Sequence, residues 1–101
     1  MSSPDPTHAT GNLRVEFAEF YGHANDMDAR LLDRLIAFEA DYLFSVSLRR
    51  ENRLHVSSKE LADQSRTNEV ILAQLRKAVR DSVTFSKISC GTQAKMMKWL
   101  T

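Results

Sequence analysis

Apolar side chains recur along this chain at helical spacing far more often than they alternate. Leu13, Phe17, Phe20 and Tyr21 fall at i, i+4, i+7 and i+8, one stripe of a short helix with Asn12 as N-cap, although Leu13, Val15 and Phe17 also allow a strand. Gly22 to Asp26 interrupts the stripe, and Asn25 or Asp26 can cap a second helix. That helix is predicted over Met27 to Leu48. It gathers Leu31, Leu32, Leu35, Ile36, Phe38, Tyr42, Leu43 and Val46 on one face, with Arg30, Asp33, Arg34 and Asp41 elsewhere. Its end, Phe44-Ser-Val-Ser-Leu48, also suits a strand.

Arg49 to His55 is polar and basic and reads as a connection. Ser57 and Ser58 then precede Lys59-Glu60-Leu61-Ala62, a capped helix start, in which Ser57 and Glu60 have the Ser-x-x-Glu spacing of a capping box. Gln64, Ser65, Arg66, Thr67 and Asn68 supply no apolar residue, so a turn is predicted there, with Thr67 or Asn68 capping a further helix from Val70 to Arg80. One unbroken helix from Ser58 to Asp81 is the plainer alternative. Val83, Phe85 and Ile88 before Gly91 suit a strand and turn, and Thr92 to Leu100 a short last helix. With three glycines and two prolines, both prolines within the first six residues, the chain has few places for tight hairpins and a mainly helical fold is expected.

At 101 residues the chain is read as a polar tail over 1–12, expected to be disordered, and a single domain over 13–101. No run approaches the roughly 18 apolar residues of a membrane span, and the start lacks the form of a signal peptide, so a cytoplasmic protein is expected. The lone Cys90 cannot form an internal disulfide. It reads as a small packed residue, or as a thiol sensitised by Lys87 and Lys95. His8, His23 and His55 have no metal-site spacing, and no cofactor is expected. No Gly-rich phosphate loop and no Ser-His-Asp or Cys-His arrangement is present, which argues against an enzyme. Glu39 projects toward the apolar face of its helix and calls for an arginine partner.

Charge is unevenly divided. Of the 13 acids and 14 bases, Met1 to Leu48 holds eight acids against three bases, while Arg49 to Thr101 holds eleven bases against five acids. Such a split points to nucleic-acid or membrane contact, or to two halves that pack on each other by charge. The predicted pair of short helices around residues 65–68 suits a helix-turn-helix. Leu72, Leu75 and Val79 would pack inward, while Val70, Ala73, Gln74 and Lys77 point the other way.

The segment Val56-Ser-Ser-Lys-Glu-Leu-Ala-Asp-Gln-Ser-Arg-Thr-Asn-Glu-Val-Ile-Leu72, together with Leu75, Val79-Arg-Asp81 and Val83-Thr-Phe85, resembles winged helix-turn-helix repressors, and among them the small iron-sulfur and nitric-oxide-responsive regulators. The resemblance covers roughly Met27 to Gly91. It implies a mainly α, winged helix-turn-helix fold with a short β-wing and an extra N-terminal helix. Arg66 stands where that turn usually carries Gly, Glu69 where Pro is common, and the cluster cysteines are absent, so cluster sensing does not carry over. A ribbon-helix-helix is the rival fold, but its helix lacks apolar residues near Arg53 and Lys59.

The function expected on this reading is double-stranded DNA binding by a small homodimeric transcriptional regulator, a repressor. Val70, Ala73, Gln74 and Lys77 would face base edges, and Arg66, Thr67, Asn68, Arg80 and Lys87 would hold phosphates. The first helix and the Trp99 segment are the candidate dimer contacts. The alternative is a helical protein-protein adaptor or inhibitor that uses the acidic N-terminal half or the stripe of Leu13, Phe17 and Phe20.

Overall fold

The computed structural model describes residues 12–50 and 57–101, and every regular element within them is a helix. Residues 1–11, which make up nearly all of the expected tail and include His8, lie outside the described residues, as do 51–56 of the expected connection, including His55.

The first predicted helix forms as two short pieces, α1 over residues 12–16 and α2 over Ala18–His23. Phe17 joins them at φ −106° and ψ 33°, off the helical values. The Phe17 amide still donates to the Leu13 carbonyl at 2.9 Å, and the Tyr21 amide to the Phe17 carbonyl at 3.3 Å. α3 spans Asp26–Arg50 and opens where Asn25 Oδ1 accepts the Asp28 amide at 2.7 Å, the expected cap. Its last turns are helical at Phe44 to Leu48, so no strand forms there.

α4 runs unbroken from Ser58 to Arg80. Its capping box is in place: Ser57 Oγ accepts the Glu60 amide at 3.1 Å, and Glu60 Oε2 accepts the Ser57 amide at 3.4 Å. The turn expected around Ser65 to Thr67 does not exist. Leu61, Ser65, Asn68, Leu72, Leu75 and Val79 succeed one another at spacings of four and three, a single row that turns toward α3 and is buried or half-buried throughout. Of the polar residues expected to end a helix, Ser65 and Asn68 are members of that row, while Gln64, Arg66 and Thr67 are exposed on the same unbroken helix. Thr67, expected as a cap, donates its hydroxyl back to the Asp63 carbonyl at 3.0 Å within the helix.

The expected wing is also helical. Val83–Lys87 forms α5, capped by Ser82, whose Oγ accepts the Phe85 amide at 3.2 Å. Cys90–Leu100 forms α6, capped by Ser89, whose Oγ accepts the Thr92 amide at 3.3 Å. Two serine caps seven residues apart outweigh the β-branched Val83, Thr84 and Ile88. The described residues therefore contain no strand, and the winged helix-turn-helix fold is overturned. None of the described helices is long and apolar enough to cross a membrane.

α3 and α4 lie along each other, while α5 packs on α2 and α6 on α4. The core collects at one end of this pair. Phe17 and Phe20 from the N-terminal helices, Leu32, Leu35 and Ile36 from α3, Leu72, Leu75 and Val79 from α4, and Ile88, Met96 and Leu100 beyond it are all buried. Trp99 closes this base against Phe17, with ring centroids 5.4 Å apart and planes at 40°. Of the segments expected as dimer contacts, Phe17, Phe20, Met96 and Leu100 are buried in the molecule's own core, while Leu13 and Trp99 are partly buried and Val15 is exposed.

Acids of the first half hold helix starts of the second. Asp28 Oδ2 accepts the Thr84 hydroxyl at 2.6 Å and the Thr84 amide at 3.3 Å, which satisfies a buried hydroxyl. Glu19 accepts the Ser89 amide at 2.8 Å, the Ser89 hydroxyl at 2.7 Å and the Thr92 hydroxyl, all at the N-terminus of α6. There the helix dipole also favours its negative charge. Asp33 accepts from both Arg14, at 2.7 Å, and the Tyr21 hydroxyl, at 2.6 Å, tying α1 and α2 to α3. Burial and then the Asp33 carboxylate hold the Tyr21 hydroxyl protonated well above the ordinary tyrosine range.

Both acid contacts bear on stability. Thr84→Val keeps the shape but removes the donor to Asp28, and should cost about 1 to 3 kcal/mol in urea unfolding; no loss would show that this contact is incidental. The Glu19 carboxylate is lowered below its ordinary value by the Thr92 hydroxyl and then by Ser89. A depressed acid contributes stability above its unfolded-state pKa and loses it as pH falls through the folded one. Wild-type protein should therefore lose more stability than Glu19→Gln between neutral pH and the acid side of the carboxylate range. Equal losses would contradict the assignment.

Candidate functional site

Beyond the base, the α3–α4 pair continues as a two-helix arm. No described residue among 37–50 or 57–71 is fully buried. The row that α3 turns toward α4 is Asp28, Leu32, Leu35, Glu39, Tyr42 and Val46, and only Leu32 and Leu35 in it are fully buried. Two faces of the arm point away from this seam and are open to solvent.

The first is the outward side of α4, where Lys59, Asp63, Arg66, Val70, Ala73 and Lys77 repeat at spacings of four and three, with Gln74 beside them; all are exposed. The helical projection of Val70, Ala73, Gln74 and Lys77 away from the core is correct, and Val70 is 52% exposed. Of the expected phosphate ligands, Arg66, Thr67 and Lys87 are exposed, but Lys87 lies on α5, off the arm. Asn68 turns inward and lines a groove with Phe38, Asp41, Tyr42, Ser45 and Gln64. Arg80 is half-buried, and its Nε has no hydrogen-bond partner among the described residues. The nine expected residues do not form one basic surface. Asp63 and Glu69, both exposed, stand three residues either side of Arg66 and reduce its attraction for phosphate.

The second face is the outward side of α3. Met27, Arg30, Arg34, Ala37, Asp41, Phe44 and Leu48 repeat at spacings of three and four; all are exposed except the half-buried Leu48. Met27 is 74% and Phe44 53% exposed, and Leu43 beside Phe44 is 58% exposed. Among the described residues, Arg30, Arg34 and Asp41 make no ion pair. Sequence reasoning misses this face because it places Leu43 in the packed stripe and allows the Phe44 segment to be a strand. A signal for it is nevertheless present: Phe44 is seven residues from Ala37 and three from Asp41, on the charged side of the helix.

Between the two helices, Glu39, Tyr42, Leu43, Glu69, Leu72 and Arg76 line a groove. Arg76 donates to Glu39 Oε1 at 3.0 Å, the arginine pair expected for Glu39. Glu39 Oε2 and Arg76 Nε are buried without a hydrogen-bond partner among the described residues. A buried pair so incompletely satisfied is weak evidence of stabilisation. Of the other predicted features, Cys90 is exposed rather than packed.

Four acids of the N-terminal half, offered as an adaptor surface, are engaged within the molecule, Glu19, Asp28, Asp33 and Glu39, while Glu16, Asp26 and Asp41 are exposed. Phe17 and Phe20 are buried. The chain matches no protein-family model, no curated protein and no solved structure, so the resemblance to iron-sulfur-type regulators finds no support or opposition there. Gln74→Ala should change unfolding stability by less than about 0.5 kcal/mol, as for a surface site. Leu75→Ala, one residue on but in the seam, should cost about 2 to 5 kcal/mol. A large loss at 74 would contradict the outward orientation of that face.

Proposed function

We propose that this protein is a helical protein-interaction module, in which the base fixes an arm and the outward face of α3 docks on a helix of another chain. The observation that carries this reading is the exposure of Phe44 and Leu43, both more than half open on a helix whose seam residues Leu32 and Leu35 are buried at the base. Phe44 stands four residues before the half-buried Leu48 on that face, with Leu43 at its edge above the groove, and apolar residues left open on a long helix gain by being covered, as in helix-on-helix recognition. Ala37 and Ala40 beside them let a second helix approach closely.

Nucleic-acid contact through the outward side of α4 is the second reading, favoured by exposed Arg66, Gln74 and Lys77 on one uninterrupted face. It is the weaker of the two because Asp63 lies on that face and Glu69 at its edge. A photo-crosslinking amino acid placed at 44, and in a separate chain at 74, tests both in cells. Docking through α3 should give discrete protein adducts from position 44 and none from 74. Adducts to nucleic acid from 74, with nothing from 44, would replace it by the second reading. Salt separates them in solution as well, because double-stranded DNA binding through clustered cations weakens steeply from low to near-physiological salt.

A further inference from the structure

We infer that the partner docked on the outward face of α3 is a second copy of this chain, lying antiparallel about Ala37. The inference rests on the proposed docking role of that face and names its occupant. The outward row of α3 is complementary in charge to itself. Ala37 stands three residues after Arg34 and four before Asp41, seven from both Arg30 and Phe44, and ten and eleven from Met27 and Leu48. Two such helices crossed antiparallel at Ala37 therefore set Arg34 of one copy against Asp41 of the other, twice over. The same pairing brings Arg30 to the Phe44 ring, where a guanidinium is attracted to an aromatic face, and Met27 to Leu48. A parallel pairing does the reverse, with Arg against Arg and Asp against Asp.

The structure leaves this pattern open to solvent except at Leu48, which is half-buried. Arg30, Arg34, Ala37, Asp41 and Phe44 are exposed, and neither arginine nor Asp41 has an ion-pair partner among the described residues. The small side chain falls at the point of crossing, where two helix axes must come closest. The large ones fall to either side. A two-fold interface needs this self-complementarity, because each contact i to j is repeated as j to i. The outward row of α4 has no such relation: reversed on itself about its middle it sets Arg66 against Val70 and Lys59 against Lys77.

Sedimentation equilibrium of the full chain, taken up to about 1 mM so that even weak association is visible, tests the inference. Wild type should form a dimer, and Phe44→Glu should be monomeric with an unchanged circular dichroism spectrum. Arg34→Asp and Asp41→Arg should each lose dimerisation by at least about tenfold, through two repulsive contacts apiece. The double variant carrying both changes should dimerise again. So should an equimolar mixture of the two single variants. A monomeric wild type at the highest concentration overturns the inference, as does a dimer indifferent to all three single substitutions or a double variant that stays monomeric. If wild type is monomeric while the crosslinker at 44 captures a different protein, the docking role stands and the second copy is wrong as its occupant. If neither occurs, both fall.

Discussion

Two helices of 25 and 23 residues can lie side by side only if each gives the other a continuous row, and the chemistry of those rows changes halfway along. Near the base the facing positions are Leu32 and Leu35 on α3 and Leu72, Leu75 and Val79 on α4, all buried. Farther out they are Glu39, Tyr42 and Val46 facing Asn68, Ser65 and Leu61, all half-buried. Hydrophobic burial therefore anchors one half of the pair and fades along the other. The half with little to bury inward carries Phe44 and Val70 outward and leaves Leu43 open at the rim of the groove. Apolar surface left out of a core in this way is what a partner can cover, which links the seam to the proposed function.

The division of charge between the two halves of the chain also has a structural outcome. Three first-half acids reach the second half directly: Glu19 at the start of α6, Asp28 at the start of α5 and Glu39 on Arg76 of α4. Two of the three act on helix N-termini rather than on basic side chains. Exposed amides and the helix dipole attract a carboxylate there without needing a lysine. Packing of the two halves by opposite charge, one reading of the sequence, therefore rests among the described residues on Glu39 and Arg76 alone. It does not account for Arg30, Arg34 and Asp41, which sit together on the outward face of α3.

Much of the local structure is legible in the sequence because caps encode it. Asn25, and Ser57 with Glu60, announce two helix starts that stand as read, and Glu39 announces its arginine. The errors lie where polar residues occupy packed positions or apolar ones face solvent. Ser65 and Asn68 resemble a helix end only if a buried row must be apolar throughout. In a two-stranded seam half-open to water, small and amide side chains are tolerated. Val83, Phe85 and Ile88 suggest a wing only if β-branched residues are weighed above Ser82 and Ser89, the caps that start α5 and α6. Leu43 is expected inward only if an apolar stripe wider than the seam is taken as core. What the sequence does carry for the candidate site is orientation: 100° per residue places Val70, Ala73, Gln74 and Lys77 outward, where they are.

The division of the helical pair into an anchored base and an open arm is the claim on which the proposed role stands. Native-state hydrogen exchange read amide by amide along α3 tests it most directly, because local opening depends on local burial. Amides from about Leu32 to Ile36 should exchange only with global unfolding. Those beyond Tyr42 should exchange through openings of lower free energy, within the same helix and without loss of the base. Equal protection along the whole of α3 would contradict this division, and would mean that the arm is stabilised by interactions other than its half-buried seam.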